Sequence, residues 1–260
     1  MNCAAGWTGG FIDWRGIAFD GRHGAHASIT GAQAFANPVG PGWRSPIGKW
    51  ADDARVKGLD NKPYGPLPRD WAHYKGLYVN GNRVVLSYTV GARGVFESPS
   101  LHGKDVFIRN LHVAPSQSQI VMQVARGESG AMHLAGNKDI VFVKTAKGTV
   151  VCAAVLGGSG LWDLDDGEHL RLRIPAANKA LKLQVLIWKG QRGEMDGFAK
   201  VVAAVNKAGA PPNLLALARG GPAKWKQAVE TSIQPGLATG PYATDTFELP
   251  EKNPWKSWMR

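Results

Sequence analysis

WAHYKGLYVNGNRVVLSYTVGARGVFESP, residues 71–99, is the stretch whose reading decides the fold. Lys75 to Val79 and Arg83 to Val90 are rich in β-branched and aromatic residues, and Asn80-Gly81-Asn82 stands between them. Asn-Gly between such runs favours the positive φ angles of a tight hairpin turn, which sets the register of the pair locally. Gly91 breaks the second run before Val95 and Phe96 resume it, so three antiparallel strands are expected. A meander of this kind needs a second apolar layer over one face, and a sandwich follows.

The same cadence continues toward the C-terminus. Asp105 to Val113, Gln119 to Ala125, Ile140 to Lys144, Thr149 to Leu156, His169 to Ile174 and Leu181 to Trp188 recur about every ten residues, with Gly, Asn or Asp between them. Arg171 to Ile174 and Lys182 to Val185 alternate polar with apolar, so one wet face is expected for each. Gly157-Gly158-Ser159-Gly160 lacks the Gly-Lys-Ser/Thr ending of a phosphate loop and reads as a hairpin loop. Trp162 to Glu168 is acidic and could hold a cation, although Asp-Asp-Gly is equally an ordinary turn. After Gly190 the pattern changes: Phe198 to Val205 has helical spacing, Leu214 to Leu217 suits a short helical turn, and Pro222 to Val229 reads as a helix opened by proline.

The expected architecture is therefore mainly β: an antiparallel β-sandwich with a small helical C-terminal appendage. Residues 1–190 form the sandwich, with Gly- and Trp-rich N-terminal loops. Within them, residues 51–70 form a Pro-rich strap, extended from Lys62 to Arg69 by Pro63, Pro66 and Pro68. Residues 191–234 are the helical appendage and 235–260 an extended linker toward a downstream domain.

The chain has 260 residues with 33 Gly, 16 Pro and 10 Trp, enough length to bury a large core and a composition that favours turns over a helical bundle. Its net charge of +11 suits an acidic polymer or partner. The basic residues are scattered and no nucleic-acid-binding signature accompanies them, so no nucleic-acid partner is expected. Cys3 and Cys152 are too few for a disulfide framework and lie in no metal-ligand spacing. No Cys-x-x-Cys-His occurs, so covalent c-type haem has no site in this chain, and no apolar run reaches the roughly 20 residues of a membrane span. Residues 1–6 lack the basic start and apolar core of a signal peptide.

Candidate ligand-binding groups converge near the N-terminus. Asp13, Arg15, Asp20, Arg22, His23 and His26 lie within fourteen residues, beside Trp7 and Trp14. One reading is a pocket in which tryptophans stack on sugar rings while charged groups fix hydroxyls or carboxylates. A metal reading would take His23, His26 and Asp20. The plainer account pairs Asp13 with Arg15 and Asp20 with Arg22 as ion pairs that pin a long loop, with the histidines solvated.

WTGGFIDWRGIAFDGRHG (7–24), NKPYGPLPRDWAHYKGLYVNGNRVVLSYTVG (61–91) and GPYATDTFELPEKNPWKSWMR (240–260) together resemble the N-terminal module of large exported bacterial proteins. These belong to the haem-binding, membrane-bound-dehydrogenase-like group. There the module precedes a sorbosone-dehydrogenase-like β-propeller, often with a c-type cytochrome domain beyond it. The resemblance implies a periplasmic or extracellular location and a β-propeller of the same protein as partner. It implies haem c only in the absent downstream domain, and a chain that is a fragment of the whole. It assigns no activity to the module, so the first expectation is a non-catalytic accessory domain for packing or substrate presentation. The second is a carbohydrate-binding module for acidic polysaccharide, using Trp7, Trp14, Trp43, Trp50 or Trp71. The third is a glycoside hydrolase or lyase that draws on Asp13, Asp20, His23, His26 and Tyr74 as acid and base.

Overall fold

Short apolar runs punctuated by glycine turns give strands first and helices only at the end. A computed structural model describes residues 1–13, 27–37, 39–44, 55–164, 166–223, 226–237, 239–240, 242–250 and 252–254. In chain order the strands are β1 (Ala5–Thr8), β2 (Ile12–Asp13), β3 (Ser28–Ile29), β4 (Ala32–Ala36), β5 (Ala72–Asn80), β6 (Arg83–Val90), β7 (Arg93–His102) and β8 (Val106–Val113). They continue as β9 (Ile120–Arg126), β10 (Ser129–Leu134), β11 (Asn137–Lys144), β12 (Thr149–Leu156), β13 (Leu161–Asp163), β14 (His169–Ile174) and β15 (Leu181–Gln191). Helices α1 (Met195–Ala208) and α2 (Leu214–Leu217) follow, then β16 (Ile233–Gln234) and β17 (Thr246–Phe247). The chain divides into two units, Met1–Gly221 and Pro222–Arg260.

In the first unit eight antiparallel strands form one sheet in the order β10-β11-β12-β15-β8-β7-β6-β5, and β13-β14-β9 form a second. The meander of residues 71–99 occupies one edge of the larger sheet. Its two hairpins close on Asn80↔Arg83 and Val90↔Arg93. Gly81 and Gly91 lead these turns with φ of 59° and 56°, conformations in which a side chain would be strained.

The alternation along β15 explains the layering. Leu183, Val185 and Ile187 point to one side, into a core shared with Met122 and Val124 of β9 and Leu170 and Leu172 of β14. Leu186 and Trp188 point to the other, into a second core with Ile108, Phe142 and Cys152. That second core is closed by Phe198, Val202 and Val205, one stripe of α1. The sandwich and the short C-terminal helix are as the sequence leads one to expect. The helix, however, is a third layer over the large sheet rather than a mere appendage. Phe198 stacks on Trp188 with ring centroids 6.0 Å apart. Phe198→Ala is expected to lower stability by about 3–5 kcal/mol. Urea unfolding would record this as a fall in midpoint at constant slope.

Three expectations need correction. Residues 226–229 of the stretch Pro222 to Val229 are not helical. The segment 55–66 is a folded excursion and not an extended strap: Val56 N–H donates to Pro66 O (2.8 Å), Gly65 N–H to Val56 O (2.9 Å) and Gly58 N–H to Lys62 O (2.9 Å). Asp60 holds its turn by accepting from Tyr64 Oη (2.8 Å) and Lys62 N–H (3.1 Å). Finally, on the two strands expected to have a wet face, Lys182 is exposed and Arg173 half-buried, but Gln184 and Arg171 are buried. Gln184 donates to Asn110 Oδ1 at 3.0 Å, and Arg171 bonds Asp166. These partners inside the fold offset the cost of burying the two side chains.

Candidate functional site

Two pieces of irregular chain fold back to the β5–β6 edge and leave a cleft there. Gly42 and Arg44 continue the smaller sheet, with Gln123 N–H donating to Gly42 O and Arg44 N–H to Val121 O, both at 2.9 Å. Trp43 thereby bridges Met122 and is fully buried, 0% exposed. Asn37 ties the N-terminal strands to this arrangement, donating through Nδ2 to Cys3 O (2.9 Å) and Val124 O (3.0 Å). Gly6 lets β1 lie close, since a Cβ there would meet the rings of Phe107 and Phe35 at 2.6 and 2.8 Å.

The resulting cleft has a volume of about 230 Å³. One wall is Met1, Asn2 and Gly40 to Gly42; the other is Ala72 to Tyr74 of β5 with Tyr88 and Thr89 of β6. Arg55, Pro66 and Leu67 complete it. Tyr74 is 51% exposed, an aromatic ring available to a ligand. Asn2 Oδ1 is a buried acceptor without a hydrogen-bond partner, and such a group gains from any ligand that donates to it. His73 has its pKa lowered, first by desolvation and then by Lys75 and Arg69.

Tyr88 joins the cleft to a buried polar network. Its hydroxyl donates to Glu97 Oε2 at 2.7 Å. Arg109 donates to the same carboxylate through Nε (2.6 Å to Oε1) and Nη2 (3.0 Å to Oε2). Burial is the largest influence on Glu97 and would raise its pKa, but Arg109 and the hydrogen bonds together outweigh it and hold the carboxyl below its ordinary value. Burial and Glu97 push the Tyr88 phenol well up. Glu97 is thus ionised, fully engaged and electrostatically compensated. It is no general acid, because its proton would have to displace a bidentate guanidinium.

The residues singled out from sequence are placed as follows. Trp7 lies in β1 with its ring 4.9 Å from Phe11, and Asp13 is exposed in β2. Trp14, Arg15, Asp20, Arg22, His23 and His26 lie outside the described residues, as does Trp50. Trp43 is not a sugar platform, since it is core. Trp71 packs against the same core, and Tyr74, read from sequence as an acid-base candidate, is the aromatic that faces outward beside the cleft. Among the described residues no three His, Cys, Asp or Glu side chains are grouped to hold a metal. Cys3 and Cys152 are both free thiols, and burial pushes the Cys152 thiol up to about 12. The acidic segment ending at Glu168 behaves as a turn. Asp166 accepts from Glu168 N–H (3.0 Å), His169 N–H (2.9 Å) and Arg171. Burial opposes ionisation there, yet these donors and His169 bring the carboxyl down to about 2. No described helix is long and apolar enough to cross a membrane.

Residues 1–97 match the family described as a domain of unknown function, DUF6797. No curated protein matches the chain. Among solved structures, the chain is similar to a heparinase III with methylated lysines, at 13% identity and TM-score 0.34, over 64% of this chain and 29% of that one. It is likewise similar to the heparan sulfate lyase HepC from Pedobacter heparinus and to its mutant, at 14% identity and TM-score 0.32, over 64% of this chain and 30% of theirs. The chain therefore corresponds to less than a third of the length of the lyases it matches.

Proposed function

We propose that this chain is a non-catalytic β-sandwich module that holds a polysaccharide in the cleft beside β5, as the accessory part of a larger exported protein. The observation that carries the reading is the cleft itself: a concave site on a rigid sheet edge with an exposed tyrosine ring, Tyr74, and an unpartnered buried acceptor, Asn2 Oδ1. Aromatic rings stack on sugar faces, and isolated acceptors take sugar hydroxyls. Affinity gel electrophoresis against a panel of neutral and acidic glycans tests it, together with an assay for new reducing ends. Retardation without cleavage is expected, and Tyr74→Ala should abolish it. Retardation by none of the glycans sinks the reading, and sustained cleavage replaces it with an enzyme.

A packing role is favoured by a separate observation. In the unit Pro222–Arg260, Leu237, Tyr242, Phe247 and Leu249 are 82%, 89%, 64% and 54% exposed. Large apolar side chains at such exposure suit a contact surface. The partner proposed for them is the downstream β-propeller that the sequence resemblance implies, with haem c, if any, in a still later domain. Hydrogen exchange at residues 233–249 should slow several-fold when the chain is joined to that propeller. Unchanged exchange would remove the packing role and leave the cleft reading intact.

A further inference from the structure

We infer that the outer edge of β5 docks an extended peptide with apolar residues at its centre and acidic residues at its ends, which adds to the large sheet as a further strand. An open sheet edge is a template for another strand, and proteins commonly cover or shorten theirs. Three of the four edges of the two main sheets are managed in this way. Residues 42–44 run along β9, the turn before β14 covers β10 with Ala131 N–H donating to Gly167 O at 2.8 Å, and β13 has only three residues. The fourth, β5, has nine residues. Among the described residues and beyond Ala72, its one main-chain bond outside the β6 ladder is from Gly221 N–H to Val79 O at 2.8 Å.

That bond fixes the orientation of the edge. Because the Val79 carbonyl points away from β6, so does its N–H, and one strand period earlier so do the N–H and C=O of Leu77. These three groups have no partner among the described residues. The Tyr74–Gly76 bulge closes the window at one end and Gly221 at the other, so a segment of about four residues fits. The bulge, with Lys75 in it, also keeps the edge from open-ended pairing. Leu77 and Val79 are 52% and 55% exposed, on the face they share with Leu86, which lies across from Leu77 and packs against the core. Apolar residues of an incoming strand would cover that face as cross-strand neighbours.

Charge selects the ends of the segment. Residues 71–96 contain no Asp or Glu. Lys75 and Arg83 are exposed on the hairpin, and Arg219 is exposed beside Gly220, whose carbonyl lies 3.5 Å from Asn80 Nδ2. None of the three is ion-paired with a described residue. Acidic ends meet complementary charge there and basic ends are repelled. Neither Leu77 nor Val79 lines the cleft, so this site is separate from the sugar-binding one.

The test uses the whole chain and three end-blocked peptides: Asp-Glu-Val-Thr-Val-Thr-Glu-Asp, the same peptide with both valines N-methylated, and a counterpart with lysine at its acidic positions. Calorimetric titration up to about 1 mM should show binding of the first and at least about tenfold weaker binding of the other two. In the first complex the amide exchange of Leu77 and Val79, read by NMR, should slow several-fold. Val79→Pro removes a donor from the outer edge and none from the β6 ladder, and should weaken binding by about tenfold. If that variant fails to fold, the N-methylated peptide applies the same test to the native chain. Lys75→Glu with Arg83→Glu should reverse the preference toward the lysine peptide. No binding of any peptide overturns the inference, and so does binding indifferent to N-methylation, which would be attraction of an anion to the +11 surface. Equal binding of acidic and lysine peptides removes the acidic partner. A dimer in sedimentation with Leu77 and Val79 already protected would put a second copy on the edge in the peptide's place. Glycan retardation is scored separately, so either reading can fail and leave the other standing.

Discussion

Arg109→Met is expected to destabilise the fold by about 3–5 kcal/mol, because it strands the Glu97 carboxylate inside the sandwich. Both side chains are almost wholly buried, so water cannot replace the lost guanidinium. The network gives little net stability even when intact: Arg109 Nη1 is buried without a partner, and two ions have been desolvated to form the pair. Replacing the whole set by Arg109→Met, Glu97→Leu and Tyr88→Phe should therefore recover most of what the single change loses. Tyr88 must be included, since its hydroxyl would otherwise lose its acceptor. The pH dependence separates this account from simple cavity formation. The folded-state pKa of Glu97 lies below its ordinary 4.5, so its contribution is complete above about that pH and is lost as pH falls through the folded value. Unfolding curves across this acid range should fall more steeply for the native chain than for the triple variant. Equal slopes, or a triple variant as unstable as Arg109→Met, would show that the network is not the source of the effect.

The parts of the fold that could be read from sequence are those set by neighbours along the chain. The β5–β7 meander was legible because Gly81 and Gly91 are turn residues whose positive φ pins the register locally. Helix α1 was legible because Phe198, Val202 and Val205 repeat at helical spacing. Short β10 and β13 escaped notice because neither has the apolar content of a core strand. Burial of polar positions in the two sheets was not legible either. Gln184 and Arg171 look solvated in sequence, and only Asn110, seventy-four positions from Gln184, and the turn at Asp166 show why they are inside.

The cleft illustrates the same limit more severely. Its lining comes from positions 1–2, 40–42, 55, 66–67, 72–74 and 88–89, stretches no short window contains. Proximity in sequence drew attention to Asp13 through His26, and abundance of tryptophan suggested Trp43. The first is a statement about spacing, which does not fix where side chains converge. The second is a statement about residue type, and tryptophan is as suited to a core as to a sugar platform. Trp43 belongs to the core because the short bridge to Met122 carries it under the sheet edge. Tyr74 sits at the Tyr74–Gly76 bulge of β5, and bulges often re-aim a side chain next to a site.

Arg93→Ala should have an effect as large as Arg109→Met, for a different reason. Arg93 opens β7 immediately after the Gly91 turn and is 0% exposed, yet its acceptors are main-chain carbonyls rather than a carboxylate. Nε donates to Ala114 O at 3.0 Å, and Nη1 to Pro175 O at 2.8 Å, with Ser118 O and Ile174 O at 3.5 Å. Ala114 follows β8 in the larger sheet, whereas Ile174 and Pro175 end β14 in the smaller one. One guanidinium thus fastens the two layers where the chain passes between them after β8 and after β14. Burial lowers its proton affinity, and the carbonyl dipoles on Nε and Nη1 oppose that loss while Nη2 is buried without a partner. Truncation leaves those carbonyls without their donor and opens a cavity of side-chain size, a loss of about 3–5 kcal/mol. For a domain of this length that corresponds to a fall in Tm of about 10 °C. Arg93→Lys should recover little, because an ammonium cannot present donors in the planar fork that reaches Ala114 and Pro175 together. A loss below about 1 kcal/mol for Arg93→Ala, or full recovery by Arg93→Lys, would mean that apolar contact alone holds the layers together at this end.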